Sequence, residues 1–274
     1  MNAASDTHAY RGRICVVTGA ASGIGRALAV QLAEAGAILA ISDVDAVGLK
    51  ETASLLPPGT RARTTHLDVS SKSAVQAYAE AVLAEFGTAH YVFNNAGVTL
   101  AATIEHARLE EYEWLLGINL WGPIYGTKAF LPAMLRQGHG HVVNFSSVFG
   151  FVTVPTQSAY HISKFGIRGF TECLSRELEG TGVSATIVHP GGIATRIGTD
   201  ARFGVDAGPA ERQFIEKMSA LLKTTPEQCA GVILAGVARR KRRIVVGESA
   251  RVLDLLPRLL PVRYGAVLRR LRGL

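Results

Sequence analysis

The stretch ICVVTGAASGIGRALAVQLAEAG (14–36) decides the fold. A short apolar run is followed directly by the glycine-rich string TGAASGIG (18–25) and then by a segment with helical periodicity. Glycines let a backbone approach a ligand closely, and the first turn of a helix offers free N–H groups to a pyrophosphate. The spacing is Gly-x-x-x-Gly-x-Gly rather than the common Gly-x-Gly-x-x-Gly, and an ordinary turn is the alternative.

The same alternation of apolar runs and helical segments continues beyond this unit. The runs AILAIS, YVFNNAG, HVVNFSS, SATIVHPGG and RRIVVG are each separated by longer segments of helical period. Continuous apolar strands between helices are typical of a parallel sheet covered on both faces. The sequence therefore predicts a single α/β domain with a doubly wound parallel sheet over 13–247. A polar extension (1–12) precedes it and a basic extension (248–274) follows it.

Composition narrows the function classes. The 274 residues are 48% hydrophobic and 19% charged, which fits a globular protein with a sizeable core. The three cysteines are far apart and His139 and His141 have no third ligand candidate nearby, so neither disulfides nor a metal site are expected. The N-terminus lacks the apolar core of a secretory signal, which favours a cytoplasmic protein. The charge of +7 is concentrated late in the chain without interleaved aromatics, so no nucleic-acid partner is expected.

A tyrosine and a lysine stand four residues apart in AYHISKFG (159–166). On a helix, Tyr160 and Lys164 would share one face and could act on one cavity. A phenol has a pKa of roughly 10 and is a poor base at neutral pH unless a positive charge stabilises the phenolate. Such pairs also arise by chance on half-exposed helices, so the rest of the chain must decide.

Asp43 ends the second predicted strand, about 20 residues after the glycine loop, where a carboxylate can bind the ribose hydroxyls of a dinucleotide. A carboxylate there would repel the 2′-phosphate of NADP, and neither the loop nor Val44 supplies a compensating base. The sequence thus predicts NAD, with NADP less favoured. A simple turn residue is the alternative interpretation of Asp43.

Taken together, these motifs resemble those of the short-chain dehydrogenase/reductase family, over about 10–247. The glycine loop, an Asp-Val pair after the third strand (Asp68, Val69) and NNAG (94–97) follow in the family's order. The helix asparagine of INLWG (118–122), a serine thirteen residues before the tyrosine, the Tyr/Lys pair and a Pro-Gly come next. That spacing selects Ser147 rather than Ser146. The resemblance implies a Rossmann-type fold.

The resemblance also implies roles for single residues. The implied catalytic set is Asn119, Ser147, Tyr160 and Lys164: Tyr160 as acid–base, Ser147 binding the substrate oxygen, Lys164 lowering the tyrosine pKa and contacting the ribose, and Asn119 holding a relay water. The implied cofactor contacts are Gly19, Ser22, Gly23, Ile24, Gly25, Asp43, Asp68, Val69, Asn95, Ala96, Gly97, Tyr160, Lys164, Pro190, Gly191, Ile193 and Thr195.

The expected activity is NAD-dependent hydride transfer to or from a largely apolar secondary alcohol or ketone. An NADP-dependent ketoreductase of the 3-oxoacyl type and a catalytically silent nucleotide sensor are the alternatives. The segment 197–222 is expected to form a mobile substrate lid. Its apolar residues Phe203, Val205, Phe214, Met218, Leu221 and Leu222 suit a hydrophobic substrate. Members of this family commonly form a subunit interface from paired helices, so the resemblance implies a homodimer or homotetramer.

The C-terminal extension combines arginines with a helical apolar stripe, Tyr264, Val267, Leu268 and Leu271. Its prolines and arginines exclude a membrane-crossing helix. Two interpretations are open. The tail could contact a membrane surface peripherally and give access to a lipid-like substrate, or it could pack over the lid or against a neighbouring subunit.

Overall fold

The computed structural model describes residues 8–198, 200–219 and 222–272. The lid residue Leu221 lies outside these ranges, and the side chains of Met218 and Leu271 lie outside the described part as well. Within it, seven strands form one parallel sheet in the order β3-β2-β1-β4-β6-β7-β9. They are β1 (Ile14–Thr18), β2 (Ile38–Asp43), β3 (Ala62–His66), β4 (Tyr91–Asn94), β6 (Gly140–Phe145), β7 (Val183–Pro190) and β9 (Arg243–Val246).

Helices cover both faces of this sheet. On one face α1 (Gly23–Glu34), α2 (Ala46–Ser54) and α8 (Pro226–Ala238) bury residues such as Leu28 and Ile233 against the strands. On the other, α3 (Lys72–Phe86), α5 (Gly122–Gln137) and α6 (Ser158–Glu177) do so with residues such as Phe130 and Leu174. The doubly wound parallel sheet predicted from the apolar runs is confirmed.

The sequence analysis did not predict two further strands. β5 (Leu100–Ala101) and β8 (Arg202–Phe203) form a separate two-stranded parallel sheet. This pair ties the segment after β7 back to the segment after β4, and α4 (Leu109–Leu116) adds the carboxylate of Glu111, which accepts from Val205 N at 3.1 Å. Part of the 197–222 segment is therefore fixed to the body of the protein before α7 (Pro209–Ser219) begins.

The packed region begins earlier than the predicted boundary at residue 13. Tyr10, in the short helical turn His8–Tyr10, is buried in the core, and its hydroxyl donates to Leu234 O at 2.6 Å. Its ring also packs against Tyr91, with centroids 4.9 Å apart. An apolar ring with a hydrogen-bonded hydroxyl is well suited to such burial, so at least this residue of the N-terminal extension belongs to the domain.

The C-terminal extension folds back onto the domain as α9 (Ala250–Leu259) and α10 (Tyr264–Arg272). Leu253 and Leu268 are buried against Val148 and Phe151, next to the 3₁₀ turn that follows β6. The Arg243 guanidinium clamps the Asp254 carboxylate with two hydrogen bonds, one of 2.8 Å, which fixes α9 to β9. No described helix has the length and apolar character needed to cross a membrane.

Candidate active site

A cleft with a cavity of about 460 Å³ opens at the carboxyl ends of the parallel strands, where such sheets place their ligands. The residues lining it come from the loops after β1, β2, β4, β6 and β7, from the 197–222 segment and from the C-terminal extension. One end is formed by backbone and small residues, and the other by large apolar side chains.

The glycine loop after β1 forms the first end, and two of its glycines are required by space. A Cβ on Gly25 would lie 1.9 Å from Gly19 O, and one on Gly19 would lie 2.6 Å from Ala96 Cα. Gly19 also has a φ of +69°, a conformation that favours glycine. The loop therefore forms a tight cradle at the N-terminus of α1, and such a cradle fits a pyrophosphate.

Asparagine and threonine side chains hold this cradle in place from the neighbouring strand. Asn95 Nδ2 donates to Thr18 O and Gly19 O, both at 3.0 Å, and the Thr18 hydroxyl accepts from Asn95 N and Ala96 N. Asn95, predicted as a cofactor contact, lines the cleft, and its side-chain amide is committed to the loop, where it positions Gly19. Its neighbour Gly97 lines the cleft directly.

Asp43 stands at the end of β2 beside the cradle and lines the cleft. Its carboxylate accepts from Ala21 N at 2.8 Å and from Asp45 N at 3.0 Å. The nearby base Arg26 donates to Ala21 O and Gly48 O and pairs with Glu51 at 2.8 Å. The guanidinium of Arg26 is thus already committed, whereas the Asp43 carboxylate lines the cleft.

Farther along the cleft, Asp68 and Val69 line the wall after β3. The Asp68 carboxylate accepts from the backbone and hydroxyl of Ser70 at 2.9 and 2.7 Å. Ser22, Gly23, Ile24 and Ala96 also line the cleft, as predicted.

Three of the four predicted catalytic side chains, Ser147, Tyr160 and Lys164, meet at the middle of the cleft. Tyr160 and Lys164 lie one turn apart on α6, and the lysine Nζ is 5.3 Å from the centre of the tyrosine ring. Lys164 Nζ donates to Phe145 O at 3.0 Å. Ser146 Oγ is turned away and donates to Lys164 O at 2.8 Å, so the geometry agrees with the choice of Ser147.

Burial shifts the pKa values of Tyr160 and Lys164. It raises the pKa of Tyr160 to about 12, against the opposing effect of a hydrogen bond with the Ser147 hydroxyl. Burial lowers the pKa of Lys164 to about 8. The lysine charge is therefore costly in this position and would be stabilised by a developing phenolate or by a bound anion.

Asn119 lies behind the cleft rather than on its wall. It sits in a π-helical turn, Gly117–Trp121, and is fully buried. Its side-chain amide oxygen accepts from Val98 N at 2.9 Å, and its amide nitrogen donates to Val98 O at 2.8 Å. A Cβ on Gly97 would lie 3.4 Å from Asn119 Oδ1 and 3.6 Å from Lys164 Nζ, so the two side chains flank Gly97. The relay water that the family resemblance implies at Asn119 stays a prediction.

The Pro-Gly segment after β7 closes the cleft above the cradle. Gly191 N donates to Val246 O at 2.9 Å, and a Cβ on Gly191 would lie 2.4 Å from Val148 Cγ1. Pro190, Ile193 and Thr195 line the cleft as predicted, and the Thr195 methyl lies 3.1 Å from the Cβ position of Gly23. This segment therefore bridges the glycine loop and the catalytic group.

Several residues that shape the cleft were missed by the sequence analysis. The lining also includes Phe149, Gln157, Ser249 and Leu253. Gln157 is buried, donating to Leu100 O at 3.0 Å and accepting from the Thr99 hydroxyl at 2.9 Å, which ties the start of α6 to β5. Its position three residues before Tyr160 on the predicted helix was a usable signal.

His161 supports the same region from the other side of α6. Its Nε2 accepts from Val154 N at 2.9 Å, and its Nδ1 lies 2.9 Å from Phe149 O, to which it donates as a neutral ring. Burial lowers the pKa of His161, in keeping with that neutral form. The side chain fixes the loop that carries Phe149 and is not among the residues that line the cleft.

The open end of the cleft is apolar. Phe214, Ile215 and Leu222 come from the 197–222 segment, and Leu253 comes from the C-terminal helix α9. These side chains face the catalytic group across the cavity. Ser147 and Tyr160 supply hydrogen-bonding groups beside these apolar side chains, so the arrangement suits a ligand with an oxygen on an apolar body.

Comparisons with known proteins agree with this geometry. The family model for the short chain dehydrogenase matches residues 13–204. The putative oxidoreductase SadH of Mycobacterium tuberculosis (strain ATCC 25618 / H37Rv) is 43% identical, with 93% of each chain covered. The estradiol 17-beta-dehydrogenase 11 of Homo sapiens is 33% identical, with 94% of this chain and 83% of that protein covered.

Two solved structures carry a nucleotide. A short-chain dehydrogenase/reductase from Burkholderia phymatum in complex with NAD has a TM-score of 0.85 and 30% identity, covering 91% of this chain and 94% of that one. A metagenomic short-chain oxidoreductase in complex with NADP has a TM-score of 0.70 and 27% identity, covering 87% and 100%. Sequence motifs, fold and comparisons lead to one conclusion: the chain belongs to the short-chain dehydrogenase/reductase family and is an oxidoreductase with a nicotinamide cofactor.

Proposed function

We propose that this protein uses NAD to interconvert a largely apolar secondary alcohol and the corresponding ketone, with Tyr160 as the acid–base group. The observation that carries the proposal is the position of Tyr160, which lines the cleft with Ser147 and Lys164 between a glycine cradle and an apolar wall. A nicotinamide dinucleotide held by the cradle would supply or accept the hydride.

The protein residues then handle the proton and the substrate oxygen. In the oxidation direction, the Tyr160 hydroxyl oxygen takes the proton of the substrate hydroxyl, and in reduction it returns that proton to the carbonyl oxygen. Ser147 hydrogen-bonds the substrate oxygen and the phenol, so it both orients the substrate and favours the phenolate. Lys164 carries a positive charge one helical turn away, which favours the same charged form.

The preference for NAD is part of the proposal and is supported by Asp43. Its carboxylate lines the cleft, and the neighbouring Arg26 is bound to two carbonyls and to Glu51. A 2′-phosphate at this position would meet a negative charge without a free base beside it. The relatives include structures with either nucleotide, so an NADP-dependent ketoreductase is the second candidate.

The apolar substrate is supported by the side chains of the open end and by the printed name of one relative, an estradiol dehydrogenase. We also extend the proposal to the lid: α7 and the residues near Leu222 would move, whereas β8 is held by β5. A sensor without turnover would need the cradle and Asp43 but not the Tyr160 group, and it remains the weaker alternative.

Assembly and location complete the proposal. Trp121, Ile162 and Phe165, on the π turn and on α6, are 50%, 50% and 40% exposed and would be covered in a homodimer or homotetramer. The free thiols of Cys15, Cys173 and Cys229 suit the reducing cytoplasm. The exposed apolar and basic residues of the C-terminal extension favour a peripheral contact with a membrane.

The experiment is a nicotinamide absorbance assay with NAD or NADP and a series of secondary alcohols from short-chain to steroid-like. We expect turnover with NAD, higher for bulkier alcohols. Tyr160→Phe should lower turnover by about 10²- to 10⁴-fold. Tyr112→Phe is the matched control: its hydroxyl bonds Ser158 at 2.6 Å, and the residue is not among those that line the cleft.

Other results would change the assignment. Turnover with NADP alone would contradict the role given to Asp43. Equal losses in Tyr160→Phe and Tyr112→Phe would mean that the tyrosine hydroxyl acts through stability rather than proton transfer. Nucleotide binding without turnover of any alcohol or ketone in the series would favour the sensor.

A further inference from the structure

The helix α9 has two apolar faces. Leu253 and Ala250 point inward, into the cluster with Val148 and Phe151. On the opposite side, Val252, Leu255 and Leu259 are 60%, 53% and 75% exposed, and they follow a three- and four-residue spacing that aligns them in one stripe. Val262, in the turn after α9, is 92% exposed. A solvent-facing stripe of this kind is costly unless another surface covers it.

Arginines surround this stripe. The residues 248–274 contain six arginines and two acids, Glu248 and Asp254. Arg251, Arg258, Arg263, Arg269 and Arg270 are exposed. Of these, Arg258 pairs with Asp254 at 3.0 Å, and the other four have no carboxylate partner among the described residues. The surface therefore combines exposed aliphatic side chains with uncompensated positive charge.

The inward face of the same helix touches the proposed substrate site. Ser249 and Leu253 line the cavity, opposite Phe214, Ile215 and Leu222. Since an α-helix with its side chains is about 10–12 Å across, the exposed stripe lies within about that distance of the cavity wall. The clamp between Arg243 and Asp254 holds the helix in this orientation.

From these observations we infer that the outer face of α9 binds an anionic phospholipid surface, from which the enzyme takes a membrane-dissolved alcohol or ketone past α9 into the cleft. The inference rests on the proposed function for the identity of the substrate. It does so for the uptake step only, because the docking surface is defined by the exposed stripe of α9 and by the arginines of the C-terminal extension.

Charge favours lipid over a second copy of the chain. In a two-fold contact through this stripe, each arginine cluster would face an equally basic copy. Anionic headgroups instead neutralise the four unpaired arginines, each of which contributes a comparable share of the attraction, while the leucines enter the interfacial region.

The test uses the purified full chain with vesicles of phosphatidylcholine, alone or mixed with phosphatidylglycerol. We expect co-sedimentation with the mixed vesicles, weakened by salt. Arg263→Gln/Arg269→Gln should lower the affinity about thirtyfold, and Leu255→Asp/Leu259→Asp should lower it by at least about tenfold. Val47→Asp, at a 72% exposed site on α2, is the control and should bind as the wild type does. Thermal unfolding checks that each variant is folded.

The uptake step is measured by turnover of a long-chain secondary alcohol held in mixed vesicles, relative to a short water-soluble alcohol. The leucine variant should lower this ratio, and Val47→Asp should not. Absence of vesicle binding, or binding that the leucine and arginine variants do not alter, would overturn the inference. A larger species in solution that disappears in the leucine variant, without vesicle binding, would assign the stripe to a second copy.

The proposed function fails separately. If the protein binds vesicles but turns over no alcohol, the proposed activity is wrong, and the uptake step is refuted with it. Turnover of the soluble alcohol without vesicle binding would refute the docking surface and leave the proposed activity intact.

Discussion

The two ends of the cleft are built by different means. At the nucleotide end, the shape is set by backbone: Gly19 and Gly25 have no room for a Cβ, and Asn95 and Thr18 bond main-chain atoms. At the substrate end, the shape is set by apolar side chains such as Phe214 and Leu253, from segments far apart in sequence. The first end tolerates few substitutions, whereas the second can change its volume one side chain at a time.

The strongest test of this contrast is Gly25→Ala. The added methyl would lie 1.9 Å from Gly19 O, so the cradle must shift. Because a displacement of about 1 Å can cost about 10²-fold, we expect NAD affinity and turnover to fall at least that far. Gly169→Ala is the matched helical control, with nothing within 4 Å of its Cβ position. Calorimetric titration of both variants with NAD measures the two affinities. Similar affinities would show that the cradle tolerates substitution better than its geometry indicates.

Asp43→Asn tests the same end by charge with nearly unchanged shape. The amide keeps an acceptor for Ala21 N or Asp45 N but loses the negative charge. A charged hydrogen bond contributes about 1.5–3 kcal/mol, so NAD affinity should fall about 10- to 100-fold. The affinity for NADP should rise relative to the affinity for NAD. Dissociation constants for both nucleotides give the ratio, and an unchanged ratio would remove Asp43 from the explanation of cofactor choice.

Leu253→Val probes the substrate end. Removing one methylene from a side chain that lines the cavity should shift kcat/KM toward bulkier alcohols by about tenfold. Leu255→Val, two residues away on the exposed face of α9, should leave the specificity profile unchanged. Competition between a short and a branched alcohol measures the shift. Identical profiles for the two variants would mean that α9 does not limit substrate size.

The smallest expected effect concerns pH. The hydrogen bond with Ser147 lowers the pKa of Tyr160, so Ser147→Ala should raise it. Alcohol oxidation needs the deprotonated phenol, and the rising limb of its pH profile should therefore move to higher pH, by about one unit or less. Profiles of kcat/KM for wild type and Ser147→Ala test this. A shift to lower pH would contradict the role of the serine.

The same contrast explains what the sequence could predict. The doubly wound parallel sheet and the glycine loop at the start of the first helix follow from local patterns, namely apolar runs and glycine spacing. Strands β5 and β8 were missed because two-residue strands have no measurable periodicity. The contact of Leu253 with the site was missed because it depends on how a distant helix folds back. The bond between the Asn119 side-chain amide and the Val98 backbone could not be predicted, because this contact is visible only in three dimensions.

Helix α8, whose Leu234 carbonyl accepts from Tyr10, also covers the apolar face of α1, and this late contact affects synthesis of the chain. The buried face of α1 is completed by Ile233 and Leu234 of α8, roughly 200 residues later. At about 5–20 residues per second, a ribosome needs about 10–40 s to deliver that partner. During this interval the nascent chain carries an uncovered apolar helix next to its central strand. Chaperone occupancy of α1 should therefore persist until α8 has left the exit tunnel, and chains that terminate before Pro226 should aggregate.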